Sequence, residues 1–358
     1  MSGLARMIER KMRSEKAGVF WHLLLYPLSL VYEVGARFRA LLYGAGVLHS
    51  SRLLCGVVSV GNITVGGTGK TPLTLLIAEF LTKKDKRVVI LSRGYKRTGS
   101  GVALVSDRNG VLLGPDEAGD EPYLMAKRLP GVPVVVGSDR VACGRYATEL
   151  FKPDFIVLDD GFQHLKLRRD LNILLVDGTE GFGNGYLLPR GILREPLSRL
   201  DRADAVFVKG RKLKNSAEDL LTRHFIPSLH FTYRPSHVYD LGTGARRTIE
   251  FLKGKTVVAV AGVANPESFF RTLDELQVET AKKLAFPDHH SYQAGDLELI
   301  KKEAGGASMV VTTEKDGVKL KGLLTGLPVY CLAIDAVFEE KDRRDFENLF
   351  APLLKGAL

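Results

Sequence analysis

Three observations predict an α/β protein made of two α/β/α lobes joined by a two-stranded β-ribbon, with an N-terminal membrane-associating helical segment. Short, almost wholly apolar runs such as FIVLD and LNILLVD stand between helix-like segments. Strands of that kind are buried on both faces of a parallel sheet. The strand–helix alternation occurs in two series, over 53–228 and again from 253, which is the sequence form of a doubly wound sheet. Between the series, LHFTYRPSHVYDLGTGARRTIEFL breaks the rhythm with two extended pieces around a Gly-Thr-Gly turn. The divisions are therefore 1–47 (helical membrane-surface segment), 48–228 (first lobe), 229–252 (ribbon linker) and 253–358 (second lobe).

The first sixteen residues are charged and compatible with a helix, and residues 17–32 (AGVFWHLLLYPLSLVY) carry no charge. His22, Pro27 and Ser29 interrupt that run, which is shorter than the roughly 20 apolar residues that span a bilayer. Trp21, Tyr26 and Tyr32 suit a membrane interface, and Arg37 and Arg39 suit lipid headgroups. Helices lying on or dipping into a membrane surface are expected here; an apolar helix packed on its own domain, or a single span, are the other readings. The net charge is +10, and residues 1–52 hold half of it, with eight Lys or Arg against three Glu. A basic excess beside an apolar segment selects anionic lipid as partner. Nucleic acid is not expected, because no aromatic RNA-binding signature accompanies the charge. Cys55, Cys143 and Cys331 are far apart and form neither a metal spacing nor a disulfide framework.

In the first series, strands are expected at 53–60, 87–92, 132–137, 155–159, 171–176 and 205–209, with helices at 71–84, 117–129, 139–150 and 215–224. In the second, strands are expected near 256–261, 308–313 and 328–334, with helices near 266–276, 293–304 and 341–350.

The first strand runs into VGNITVGGTGKTP, a glycine-rich turn followed by a helix-forming segment. This is the order of a phosphate-binding loop and points to the P-loop NTPase type of lobe. Glycines let successive backbone N–H groups approach one anion, and the helix directs its positive end to the same point. Thr64, Val65, Gly66, Gly67, Thr68, Gly69, Lys70 and Thr71 would hold ATP, with Lys70 on the β- and γ-phosphates and Thr71 on Mg²⁺. Thr64 occupies the place of the usual first glycine.

Asp159 and Asp160 of LDDGFQH end an apolar strand, where carboxylates complete a phosphate-loop site through Mg²⁺. Adjacent strand residues point to opposite sides, so the two acids are expected to differ in role. Asp120 of GDEP opens a helix and reads either as a first-turn dipole partner or as a general base. FPDHHSY (286–292) groups Asp288, His289 and His290, able to accept a hydroxyl proton or to form a helix-entry loop. LPRGILREP carries Arg194 and Glu195, read as a phosphate clamp or a surface pair. SRGY (92–95) ends the second strand on the ligand edge. TTEKD (312–316) ends a strand of the second series, with charges that would contact nucleotide or brace the lobes.

Taken together, VGNITVGGTGKTP, SRGYKR, GDEPYLMA, GSDR, LDDGFQH, LLPRGILREPLSRL, AGVANPESFF, FPDHHSY and TTEKDGVKL resemble one family over nearly the whole chain, the tetraacyldisaccharide 4'-kinases (lipid A 4'-kinases) of Gram-negative bacteria. The resemblance implies transfer of the ATP γ-phosphoryl group to the 4'-hydroxyl of a tetraacyldisaccharide 1-phosphate, forming lipid IVA. The enzyme would work with Mg²⁺, as a monomer, peripheral or monotopic on the cytoplasmic face of the inner membrane. By motif, Asp120 would be the catalytic base, with His289 paired to it across the interlobe cleft and Lys70 serving the phosphates. His289, which follows Pro-Asp, is preferred to His290. Thr71, Asp159 and Asp160 would hold Mg²⁺; Glu121, Gln163, His164, Arg194 and Glu195 would bind substrate. The competing function class is a membrane-associated P-loop ATPase switch.

Overall fold

A computed structural model describes Met12 and residues 19–356, of which 19–22 are described by backbone alone. The expectations for residues 1–11 and 13–18 lie outside the described residues. Helix α1 (Val19–Gly44) carries Pro27 within it. Ser29, Ala36 and Ala40 line its packed side, while Leu23, Leu24, Leu28, Val31, Val34, Phe38 and Leu41 are exposed. Among the described residues no helix is long and apolar enough to cross a membrane.

The first lobe runs β1 (Gly56–Gly61), α2 (Lys70–Lys83), β2 (Val88–Ser92), β3 (Ala103–Ser106), α3 (Pro115–Ala118), α4 (Asp120–Arg128), β4 (Val134–Val136), α5 (Arg140–Phe151), β5 (Phe155–Asp159), β6 (Leu171–Asp177), β7 (Ala205–Lys209) and α6 (Asn215–Arg223). β1, β2, β4 and β5 are buried along their whole length, as parallel strands covered on both faces must be. α2 buries Leu73, Ile77 and Leu81 at four-residue spacing. Asp139 starts α5 by accepting from the Val141 and Ala142 amides. The helix expected at 117–129 is interrupted: Gly119 at φ +89° separates α3 from α4, so Asp120 is the first residue of the longer helix. β3 was not expected; it is a short antiparallel edge strand on β4.

After the long strand β8 (Ser228–Asp240) and β9 (Arg246–Arg247), the second lobe runs β10 (Thr256–Ala261), α7 (Pro266–Glu275), β11 (Glu279–Ala285), α8 (Ala294–Ala304), β12 (Met309–Thr313), α9 (Glu314–Leu320), β13 (Val329–Phe338) and α10 (Glu340–Leu354). Asn265 and Pro266 start α7 by capping and by a pre-set φ. β11 escaped the sequence reading because ETAKKLA, on the sheet edge, is mostly polar and exposed. TTEKD does not simply end a strand: Thr313 caps α9, its hydroxyl meeting the Asp316 amide.

All the strands form one sheet, in the order β11-β10-β12-β13-β8-β7-β6-β1-β5-β2-β4-β3, with β9 beside β8. The join is β8, which pairs parallel to β7 through Ser228–Phe231 and then antiparallel to β13 through residues 231–240. The ribbon's second strand is thus β13; the pieces around Gly242-Thr243-Gly244 pair only at Val238–Arg247 and Tyr239–Arg246. β13 also carries the chain back, so α10 packs on the first lobe, although chain order groups 253–358 together. Phe346 and Phe350 of α10 meet Phe80 of α2 at 4.9 and 5.4 Å between ring centres, and Phe346 lies 6.0 Å from Phe207.

The lobes also meet through charge. Arg128, at the end of α4, donates to Glu314 at 2.7 Å and to Asp335 of β13. Glu314 is buried, and burial raises its pKa despite Arg128. Arg128→Met should lower unfolding free energy by about 3 kcal/mol, because it leaves a buried carboxylate unpaired. Urea titration should show part of that loss recovered in Arg128→Met/Glu314→Gln.

Candidate active site

The carboxyl ends of β1 and β5, neighbours in the sheet, carry the phosphate loop and the Asp159–Asp160 pair. Gly66 and Gly69 take φ of +111° and +85°. A side chain on Gly69 would strike the Tyr233 ring, and the Tyr233 hydroxyl donates to the Gly69 carbonyl. A Cβ on Gly67 would stand 3.1 Å from Ala264 of the second lobe. Asn62 braces the loop by donating to Thr68 Oγ1 at 3.0 Å.

Lys70 Nζ lies 3.4 Å from Asn62 Oδ1 and 3.5 Å from Asp160 Oδ1. Arg194 closes the same cluster. Its guanidinium donates to both oxygens of Asp160 at 3.1 and 3.2 Å, to the Thr64 carbonyl at 3.2 Å and to Asn62 Oδ1. The loop around Arg194 is strapped to the phosphate loop by backbone bonds, Val65 N–H to Ile192 O and Arg194 N–H to Ile63 O. α1 lies against this strap: the Tyr32 hydroxyl donates to the Arg194 carbonyl at 3.0 Å, Ser29 to Leu187 O at 2.9 Å, and Arg39 to Gln163 O at 3.2 Å.

The two aspartates have opposite electrostatics. Burial, followed by the nearby Glu121 and Asp160 charges, pushes Asp159 up to about 7. Its carboxylate accepts from Ser92 at 3.0 Å and Thr74 at 3.4 Å. Burial also pushes Asp160 up, but Lys70 and Arg194 outweigh it and hold that carboxyl below its ordinary value. A divalent cation is the partner that would favour ionised Asp159. Two adjacent carboxylates and the Thr71 hydroxyl suit Mg²⁺, which keeps waters and shares phosphate oxygens. Among the described residues no group of three or more His, Cys, Asp or Glu stands together as a metal cage.

A second cluster forms where α4 meets α9 and the 286–292 loop. Asp120 Oδ2 lies 3.4 Å from His289 Nδ1 and 3.2 Å from Lys319 Nζ. Burial opposes ionisation of Asp120, yet His289 and Lys319 together hold its pKa below the usual value. His289 sits at φ +56° with its ring edge-on to Tyr95 at 5.4 Å. His290 faces away, 2.8 Å from Asp296 and stacked on Phe286. Glu121 is paired with Lys315 at 3.2 Å.

The remaining sequence candidates are distributed differently. Gln163 donates to Asn62 O at 2.8 Å, next to the loop. Burial, with Arg140 nearby, pushes His164 down to about 4, and its Nε2 is buried without a hydrogen-bond partner. Glu195 is not drawn into the Arg194 cluster; it pairs with Arg202, whose guanidinium covers the Phe162 ring. Asn62, Thr74, Tyr233 and Lys319 were not among the expected site residues. Lys319 was discoverable, four residues after Lys315 and so on one helix face once TTEKD is read as a cap. Tyr233 reaches Gly69 from 164 positions away and left no local signal.

The family model described as tetraacyldisaccharide-1-P 4'-kinase (LpxK) matches residues 21–353. The chain belongs to this family. It is 41% identical to a tetraacyldisaccharide 4'-kinase of Syntrophus aciditrophicus over 93% of each chain. It is 46% identical to one of Pelobacter propionicus, over 84% of this chain and 83% of that one. The crystal structure of LpxK from Aquifex aeolicus in complex with ATP superimposes with a TM-score of 0.76 at 35% identity, covering 92% of this chain and 98% of that one.

The raised Asp159 gives a stability prediction with a definite sign. With the folded pKa near 7 and the unfolded one near 3.9, the native state binds more protons between those values, so this group costs stability as pH rises through that window. Asp159→Asn should raise the melting temperature of the nucleotide-free protein at pH 8, by roughly 2–4 °C per kcal/mol relieved, and leave it unchanged at pH 4. Calorimetry at the two pH values checks this.

Proposed function

We infer that this protein transfers the γ-phosphoryl group of ATP to the 4'-hydroxyl of a tetraacyldisaccharide 1-phosphate, the step of lipid A biosynthesis that yields lipid IVA. The family match over residues 21–353 carries the inference.

ATP would lie with its phosphates on the amides of Thr64–Gly69, with Lys70 against the β- and γ-phosphates. Thr71, Asp159 and Asp160 would hold Mg²⁺, which when bound neutralises phosphate charge. Asp120 accepts the proton of the 4'-hydroxyl as the new O–P bond forms and the γ-phosphorus parts from ADP. Its pairing with His289 supports that assignment, since the pair comes from two lobes and is complete only when they meet. Arg194 and Gln163 lie beside the phosphate loop, on the side where the anionic substrate headgroup would sit; His164, Glu195 and Glu121 would bind substrate from the adjoining segments. The exposed apolar side of α1, on a helix that follows a basic sequence, supports peripheral binding to a membrane surface; the enzyme would act there as a monomer on the cytoplasmic face of the inner membrane.

The test is thin-layer separation after incubation with γ-labelled ATP, Mg²⁺ and tetraacyldisaccharide 1-phosphate in detergent. Label should move with lipid, and Lys70→Ala should lose it. Asp120→Ala should lower turnover by about 10²–10⁴-fold with ATP affinity nearly unchanged. Label released only as free phosphate, or near-normal turnover of Asp120→Ala, would contradict the reaction or the base assignment respectively.

A further inference from the structure

We propose that Lys315 and Lys319, one turn apart on α9, are positioning residues for the acid–histidine pair: Lys315 fixes the ring proton of His289 on Nδ1, and Lys319 anchors one oxygen of Asp120 so that the other faces the hydroxyl. The proposal rests on the reading of Asp120 as the base.

Lys315 Nζ stands 3.0 Å from His289 Nε2, 3.2 Å from Glu121 Oε1 and 3.4 Å from Asp288 Oδ1. Burial disfavours its charge, but Glu121 and Asp288 outweigh burial and raise its pKa, so it is an ammonium. An ammonium has three donors and no acceptor. Nε2 must therefore accept, which leaves the ring proton on Nδ1, the nitrogen 3.4 Å from Asp120 Oδ2. The lysine selects the tautomer whose ring proton is on the nitrogen nearer the base.

Lys319 Nζ approaches the same oxygen, Asp120 Oδ2, at 3.2 Å. Among the described residues, both charged contacts of this carboxylate fall on Oδ2. Oδ1 is thus the oxygen available to a substrate hydroxyl. The charged and titratable groups facing the pair are Glu121 from α4, Lys315 and Lys319 from α9, Asp288 from the 286–292 loop and Tyr95 from the loop after β2. Both lysines belong to the lobe that supplies His289, so the base gains its histidine and its cation in one approach. Mechanical bracing of the lobes is already supplied two turns along α4 by Arg128 and Glu314.

Two readouts separate this role from bracing. In nitrogen-15 imidazole spectra of the full chain, with His289 assigned by its loss in His289→Gln, wild-type His289 should show Nδ1–H with unprotonated Nε2. Lys315→Met should shift it toward the Nε2–H form. A wild-type Nε2–H signal, or an unchanged one in Lys315→Met, overturns the Lys315 role. For Lys319, removing the cation raises the pKa of Asp120, so the acid limb of the kcat–pH profile should move up by about one unit in Lys319→Met and return in Lys319→Arg. At a pH below that limb kcat should fall about tenfold, with a much smaller loss at high pH. An unmoved limb in a Lys319→Met protein that melts like wild type, or in Lys319→Leu if the Met variant does not fold, overturns the Lys319 role. Near-normal turnover of Asp120→Ala would instead remove the base assignment, while the imidazole spectra would still report on Lys315.

Discussion

The antiparallel pairing of β8 with β13 is the constraint on which the arrangement depends. β8 leaves the first lobe as a parallel strand and continues as the inner partner of β13. That single strand merges two sheets into one and sets the distance between the lobes. It also supplies Tyr233, whose hydroxyl holds the Gly69 carbonyl at the turn into α2. β13 then returns the chain to the first lobe, where the α10 phenylalanines complete the core over α2. A second lobe anchored at both ends of its chain in this way is limited in how far it can move from the first.

The consequence at the site is a ladder of alternating charge between α4 and α9. Asp120 and Glu121 at the start of α4 meet Lys319 and Lys315, and Arg128 at its end meets Glu314. The helices run in opposite senses, so acids at one end and a base at the other match without like charges facing. Of these groups, Glu314 is the most buried, while Asp120 and Lys315 keep partial exposure. The other half of the site uses charge differently. Asp160 is held ionised by Lys70 and Arg194, while neighbouring Asp159 is buried among hydroxyls and carboxylates. The last residue of β5 and the turn residue after it, at φ +53°, thereby supply two carboxyl groups of unlike character.

α1 connects this chemistry to the surface. Its packed side donates hydrogen bonds to the carbonyls of Leu187, Gln163 and Arg194, all in segments that border the phosphate loop. Its other side exposes a continuous row of apolar residues. One helix therefore touches the site through polar groups and the surroundings through apolar ones, which suits a substrate with an anionic headgroup and acyl chains.

The amino-acid sequence by itself determined most of the local structure. Apolar runs such as FIVLD read as buried parallel strands, and the glycines beside Lys70 as a close-approach turn. It also singled out the Asp159–Asp160 pair and the Asp120 and His289 motifs as candidates for chemistry. Edge strand β11 was missed because an edge needs no apolar pattern, and β3 and α9 were missed because four strand residues and a seven-residue helix show little periodicity. Only the tertiary structure decided which groups meet. That His289 rather than His290 faces Asp120, that Arg194 reaches Asp160 while Glu195 turns to Arg202, and that Lys319 and Tyr233 meet Asp120 and Gly69 all follow from contacts between residues far apart in the chain. Such contacts are set by strand order and register, and no local pattern of residues encodes either.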